Sequence, residues 1–94
     1  MEMKQLTGNA AYKVLQVSLA TGEEMPRHFA TSDAFIIVEK GEAVVRFTDQ
    51  EVVLQAGSTL NIPATKPLEL IVKQDFRSHV ILAGNSSIQF SDQA

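Results

Sequence analysis

Gly22–Gly41 reads GEEMPRHFATSDAFIIVEKG, and the fold turns on how this stretch is read. It has the order strand, tight turn, strand. Ala20–Glu24 is turn-like, and Pro26 fixes the backbone on the approach to His28, because its ring locks φ. Thr31-Ser32-Asp33 has the composition of a turn or cap. Ala34–Glu39 (AFIIVE) is dense in β-branched and aromatic residues, which suit a pleated, half-buried surface. Lys40-Gly41 then predicts a hairpin, with the glycine free to take a positive φ, and Ala43–Thr48 follows as the returning strand.

Working outward, the same grammar repeats. Upstream, Tyr12–Leu19 (YKVLQVSL) alternates, and its Leu15, Val17, Leu19 face is apolar. Downstream, Asp49-Gln50 turns into Glu51–Leu54, and Gln55–Ser58 turns into Thr59–Ile62. Pro63 ends that strand. Leu68–Lys73 and Arg77–Ala83 read as two strands separated by Gln74-Asp75-Phe76. Gly84–Ser87 is a turn before a short strand, Ile88–Phe90. This makes eight or nine short strands with turn signals every 6–12 residues and no sustained helical period. The prediction is an all-β antiparallel sandwich or small barrel. One domain spans residues 1–94, with a weakly patterned arm over 1–10 and a polar tail over 91–94. A strand at Met3–Leu6 would add to a sheet edge or to a neighbouring subunit.

Composition narrows the function classes. The chain has 94 residues and a formal net charge of -3. Its Lys and Arg are scattered, so nucleic acid is not an expected partner. Cysteine is absent, which excludes disulfides, thiolate metal ligands and a Cys nucleophile. The longest uninterrupted apolar run is Ala34–Val38, against the ~20 residues of a membrane helix. The opening residues carry no apolar core of signal-peptide length. The expectation is a cytoplasmic protein with no membrane partner. No phosphate loop is present, and Ser32 has no His–acid pair placed around it, so no catalytic residue is assigned.

Two segments together resemble the cupin family of jelly-roll barrels. The family's first motif, G-x5-H-x-H-x3-4-E-x6-G, falls on Gly22, His28, Ala30, Ala34 and Gly41 with the spacing kept from end to end. Its second, G-x5-P-x-G-x2-H-x3-N, falls on Gly57, Pro63, Thr65, Leu68 and Val72. The resemblance covers residues 12–83 and implies a cupin-like jelly-roll β-barrel. In the family the motif histidines and glutamate commonly hold a divalent metal. Of those four ligand positions only His28 keeps a donor, since Ala30, Ala34 and Leu68 have none. A catalytic metal site typically takes three protein ligands, so neither a metal nor any other cofactor is expected.

Strand alternation then sets the pocket that the resemblance implies. If position 34 faces inward, so do Ile36 and Val38, while Phe35, Ile37 and Glu39 face out. If position 68 faces inward, so do Leu70 and Val72. The expected ligand-binding residues are His28, Ala30, Ala34, Ile36, Leu68 and Leu70. His79 is a further candidate, on a strand whose inward face the alternation leaves open. Asp33 would enter only through a bulge or register slip.

Several readings stay open. The preferred one is a metal-free, non-catalytic cupin with a cavity for a small, partly apolar ligand, oriented by His28. In its bland counterpart the barrel is a packed core, and His28 is bonded to backbone or water. An enzyme alternative is a metal-dependent dioxygenase or sugar isomerase using His28, His79 and an irregularly placed acid. A third is a structural or partner-binding dimer. Both faces of Tyr12–Leu19, Ala34–Val38 and Leu68–Val72 carry apolar residues, so a second cover is needed. A symmetric homodimer is the predicted partner arrangement. Small cupins are similar in this respect, pairing through sheet packing or exchanged N-terminal strands.

Overall fold

The computed structural model describes residues 1–90; the predicted polar tail, 91–94, lies outside the described residues. Eight strands follow in chain order: β1 (Glu2–Gly8), β2 (Tyr12–Leu19), β3 (Glu24–Ala30), β4 (Ala34–Phe47), β5 (Glu51–Gln55), β6 (Thr59–Ile62), β7 (Leu68–Ala83) and β8 (Ile88–Phe90). None of the described residues is helical, and no helix is long and apolar enough to cross a membrane.

Two long strands form the frame. β4 and β7 pair antiparallel from Ala34↔Leu82 to Phe47↔Leu68. The first half of β4 carries β6 on its other edge, and the second half carries β5. The second half of β7 carries β2 and then β1, whereas its first half carries β3 and then β8. The result is one curled antiparallel sheet with two layers, β1-β2-β7-β4-β6 and β8-β3-β7-β4-β5, that share the long strands. This is the expected all-β jelly-roll architecture, built as a half-barrel.

The joint between the layers corrects two turn assignments. Lys40-Gly41 is not a hairpin, and Gln74-Asp75-Phe76 does not separate two strands. Both lie inside β4 and β7, where the pairing slips register between Val38 and Ala43. These are bulges, which bend a strand and sharpen its twist without ending it. The slip changes the parity of β4, whose buried positions pass from Ala34, Ile36 and Val38 to Ala43, Val45 and Phe47. β7 keeps its parity, from Val72 to Phe76 and Ser78. Gly41 sits at the crossing with φ 88°. A Cβ placed there would stand 2.0 Å from the Asp75 carbonyl oxygen. The glycine is required by close backbone approach as well as by its dihedral.

Elsewhere alternation holds. Leu15, Val17 and Leu19 of β2 and Leu68, Leu70 and Val72 of β7 are buried. Phe35 and Ile37 point away from the core and are each 38% exposed. The N-terminal arm is a strand, and β1 pairs with β2 of its own chain. The turn-like residues after Gly22 are brief, since β3 begins at Glu24.

Candidate functional site

Between the layers lies a cavity of about 60 Å³, lined by Val17, Ala34, Ile36, Ser78, Val80 and Leu82 from one and by Met25, His28, Ala30, Leu68 and Leu70 from the other. A water needs roughly 10–15 Å³ measured this way, so the space suits a few waters or a molecule of a few heavy atoms. Met3 of β1, Ile62 of β6, Phe76 of β7 and Ile88 of β8 also line it.

His28 reaches the cavity through a local irregularity. β3 pairs with β7 at Met25↔Leu70 and His28↔Leu68, with a register shift between. The extra residue lets Met25 and His28 both turn inward, although strict alternation from Met25 would turn Arg27 in. Pro26 suits the bulge because it has no N–H to offer a ladder. Its carbonyl faces the His28 ring, and Nδ1–H donates to it at 2.6 Å. That bond assigns the tautomer: the proton is on Nδ1, and Nε2 carries a free lone pair. His28 is 7% exposed. Burial pushes its pKa down, and the Pro26 hydrogen bond opposes this in part, so the ring is neutral at neutral pH. Phe90 of β8 tilts against it at 5.4 Å between ring centroids.

The predicted residues come together with one exception. His28, Ala30, Ala34, Ile36, Leu68 and Leu70 all line the cavity. His79 does not, and its place among the pocket residues is corrected. It stands on the outer face of β7, in register with Gln16 of β2 and Ile37 of β4, and its Nε2 lies 3.4 Å from the Gln16 amide nitrogen. The inward residues of this part of β7 are Phe76, Ser78, Val80 and Leu82. Sequence reasoning missed Ser78, the second polar residue in the wall. Its signal was the parity of Leu68, Leu70 and Val72, which carries through to position 78 only if Gln74–Phe76 is continuous strand. Asp33 stays outside, where its Oδ1 accepts the Ala64 N–H at 2.8 Å.

The donor set does not fit a resident metal. The cavity wall supplies, among the described residues, one imidazole and one hydroxyl, with no carboxylate. Among the described residues no three His, Cys, Asp or Glu side chains are grouped to hold an ion. Thr65, at the glycine position of the second motif, takes the backbone of a glycine there, with φ 63°. Its N–H donates to the Ala30 carbonyl at 2.8 Å, which ties the second motif to the first beside the cavity.

A curled antiparallel jelly roll with its pocket between two layers defines a class. The sequence model of the cupin domain, Cupin_2, matches residues 15–83, and the chain belongs to the cupin family. Similar solved structures include a cupin superfamily protein of Desulfitobacterium hafniense, with TM-score 0.81 at 26% identity over 87% of this chain and 75% of that one. An uncharacterised conserved protein of Klebsiella pneumoniae with a double-stranded β-helix domain superposes with TM-score 0.86 at 15% identity, over 98% and 84%. Salicylate 1,2-dioxygenase of Pseudoaminobacter salicylatoxidans, solved with gentisate, has TM-score 0.79 at 14% identity; it covers 89% of this chain, which spans 25% of the dioxygenase. Among curated proteins none matches.

Proposed function

We propose that this cupin is a metal-free, non-catalytic protein that binds a small, partly apolar molecule in the cavity beside His28. The observation that carries this is the wall itself: mostly apolar, with a buried imidazole whose Nε2 has no hydrogen-bond partner among the described residues. A concave apolar site with one or two placed polar groups is the usual form of a small-molecule pocket. His28→Ala should weaken binding of a molecule that hydrogen-bonds there by about tenfold or more and leave the fold intact. Unchanged binding would refute the site. A cytoplasmic setting belongs to the same reading and rests on the absence of cysteine.

The metal-dependent alternative draws on likeness to the dioxygenase, which extends to the fold. It would need His28, His79 and an acid around one ion, yet His79 is on the other face of the sheet from the cavity. Elemental analysis of tag-free protein should find no stoichiometric transition metal. Finding one would overturn the metal-free reading.

The protein acts as a homodimer in this proposal. On the outer face, Val14, Ile81 and Phe35 lie in one row across β2, β7 and β4, with Ile37 in the next. A second copy laid on this face by a two-fold axis would cover that row. Phe35→Lys should convert a dimer to a monomer by light scattering at micromolar concentration. A wild-type monomer would remove the proposal, and would also remove the structural-dimer alternative.

A further inference from the structure

The cavity wall discriminates by charge and by hydrogen-bond direction, and this narrows the ligand. Among the described residues no Asp, Glu, Lys or Arg lines it. A bound carboxylate would lose its hydration without gaining a counter-ion, and so would an ammonium group; buried charges are tolerated only when paired. The described wall therefore disfavours burying a charged group.

Among uncharged ligands, the polar groups favour donors. Nδ1 of His28 is committed to the Pro26 carbonyl at 2.6 Å, so Nε2 can only accept. The Ser78 hydroxyl on the facing layer either donates or accepts. A ligand that only accepts would satisfy Ser78 and leave the imidazole lone pair buried and unpaired. A ligand with one O–H can donate to Nε2, and its oxygen keeps lone pairs that can accept. Around these groups the small side chains Ala30 and Ala34 leave room for an apolar stem, bounded by Leu68 and Leu70. About 60 Å³ limits that stem to a few carbon atoms.

We infer that the cavity takes a short, uncharged alcohol, its hydroxyl donating to Nε2 of His28 and its alkyl stem packed on Ala34, Leu68 and Leu70. This rests on the small-molecule reading above and goes beyond it by fixing the ligand's charge, polarity and size.

Four probes of nearly equal size test it: 1-butanol, its isomer diethyl ether, butyrate and butylammonium. Methyl NMR of Ala34, Leu68 and Leu70 follows occupancy, and the ¹⁵N shifts of the His28 ring report which nitrogen carries the proton. The expected result is saturable binding of 1-butanol, about tenfold tighter than diethyl ether, the difference worth one hydrogen bond. Neither ion should bind, and Nε2 should be the unprotonated nitrogen. His28→Phe, checked for folding by its backbone NMR spectrum, should lose the preference for the alcohol over the ether. Ether or either ion binding as well as 1-butanol would overturn the ligand class while leaving a small-molecule cavity in place. No shift from any probe at millimolar concentration would overturn both.

Discussion

The two halves of β4 are one strand put to opposite uses. Ala43 and Val45, after the bend, are 0% exposed and pack beside Leu54 of β5, which is 1% exposed. Ala34 and Ile36, before the bend, are buried too, but they face an unfilled space. The neighbours account for the difference. Phe47 and Leu54 supply bulk at one end, whereas Ala30 and Ala34 supply methyl groups at the other. Both ends exclude water from the sheet, and only one keeps room for something else. A strand can bury apolar side chains at both ends and still be close-packed at one and hollow at the other.

That contrast can be broken at the bend that separates the halves. Gly41→Ala should be the most damaging single change. It combines an unfavourable positive φ with a collision against the Asp75 backbone, and about 4 kcal/mol of stability should be lost in urea unfolding. A loss below ~1 kcal/mol would show that the two bends do not cross closely.

Paired substitutions sharpen the comparison. Leu54→Ala, at the filled end, should cost about 3 kcal/mol, because it opens a cavity in a well-packed region. Ala34→Val, at the hollow end, should stay within ~1 kcal/mol of wild type, since the added carbons enter existing space. It should also weaken binding of any cavity ligand. Equal costs at the two sites would mean that the hollow end is already packed.

His28 adds a pH test. Burial lowers its pKa below the ordinary 6.5. The unfolded chain then takes up a proton near pH 6.5 that the folded chain resists. Stability from this residue is complete above about pH 6.5 and falls as pH drops towards the folded pKa. As pH falls below about 6.5, denaturation midpoints should decline in wild type and decline less in His28→Gln. Identical slopes would remove the buried neutral imidazole.

The smallest effect is a gain. Thr65 holds φ 63°, which strains a β-branched residue. Thr65→Gly should relieve that strain at some cost in unfolded-state entropy, for a net stabilisation of about 1 kcal/mol. Destabilisation would show that the Thr65 hydroxyl, bonded to the Ala64 carbonyl at 2.6 Å, outweighs the strain.

Much of this fold is legible in the chain. The alternation of Ala34–Val38 and of Leu68–Val72 assigns their faces correctly, and the motif spacing brings His28, Ala30, Ala34 and Leu68 to one pocket. The two bends are not legible as bends. A glycine free to take positive φ serves a hairpin and a bulge equally well, and what distinguishes them at Gly41 is Asp75, far along the chain. From that ambiguity came the undecided facing of His79 and the omission of Ser78, because parity cannot be carried through an assumed turn. The inward turn of His28 needed the bulge after Met25, another non-local feature, and only the family spacing pointed to it.

The long pairing of β4 with β7 also bears on how the chain is made. β5 begins at Glu51 and β6 at Thr59, soon after β4 ends at Phe47, and both can meet it as soon as they emerge from the ribosome. β7 begins at Leu68 and completes its ladder only at Ala83. Until then β4 has one unpaired edge and both apolar faces uncovered, a state prone to wrong association during synthesis. The acidic and basic side chains at Glu39, Lys40, Glu42 and Arg46, exposed or half-buried along that strand, are placed where they would discourage such pairing while the nascent chain waits for its partner.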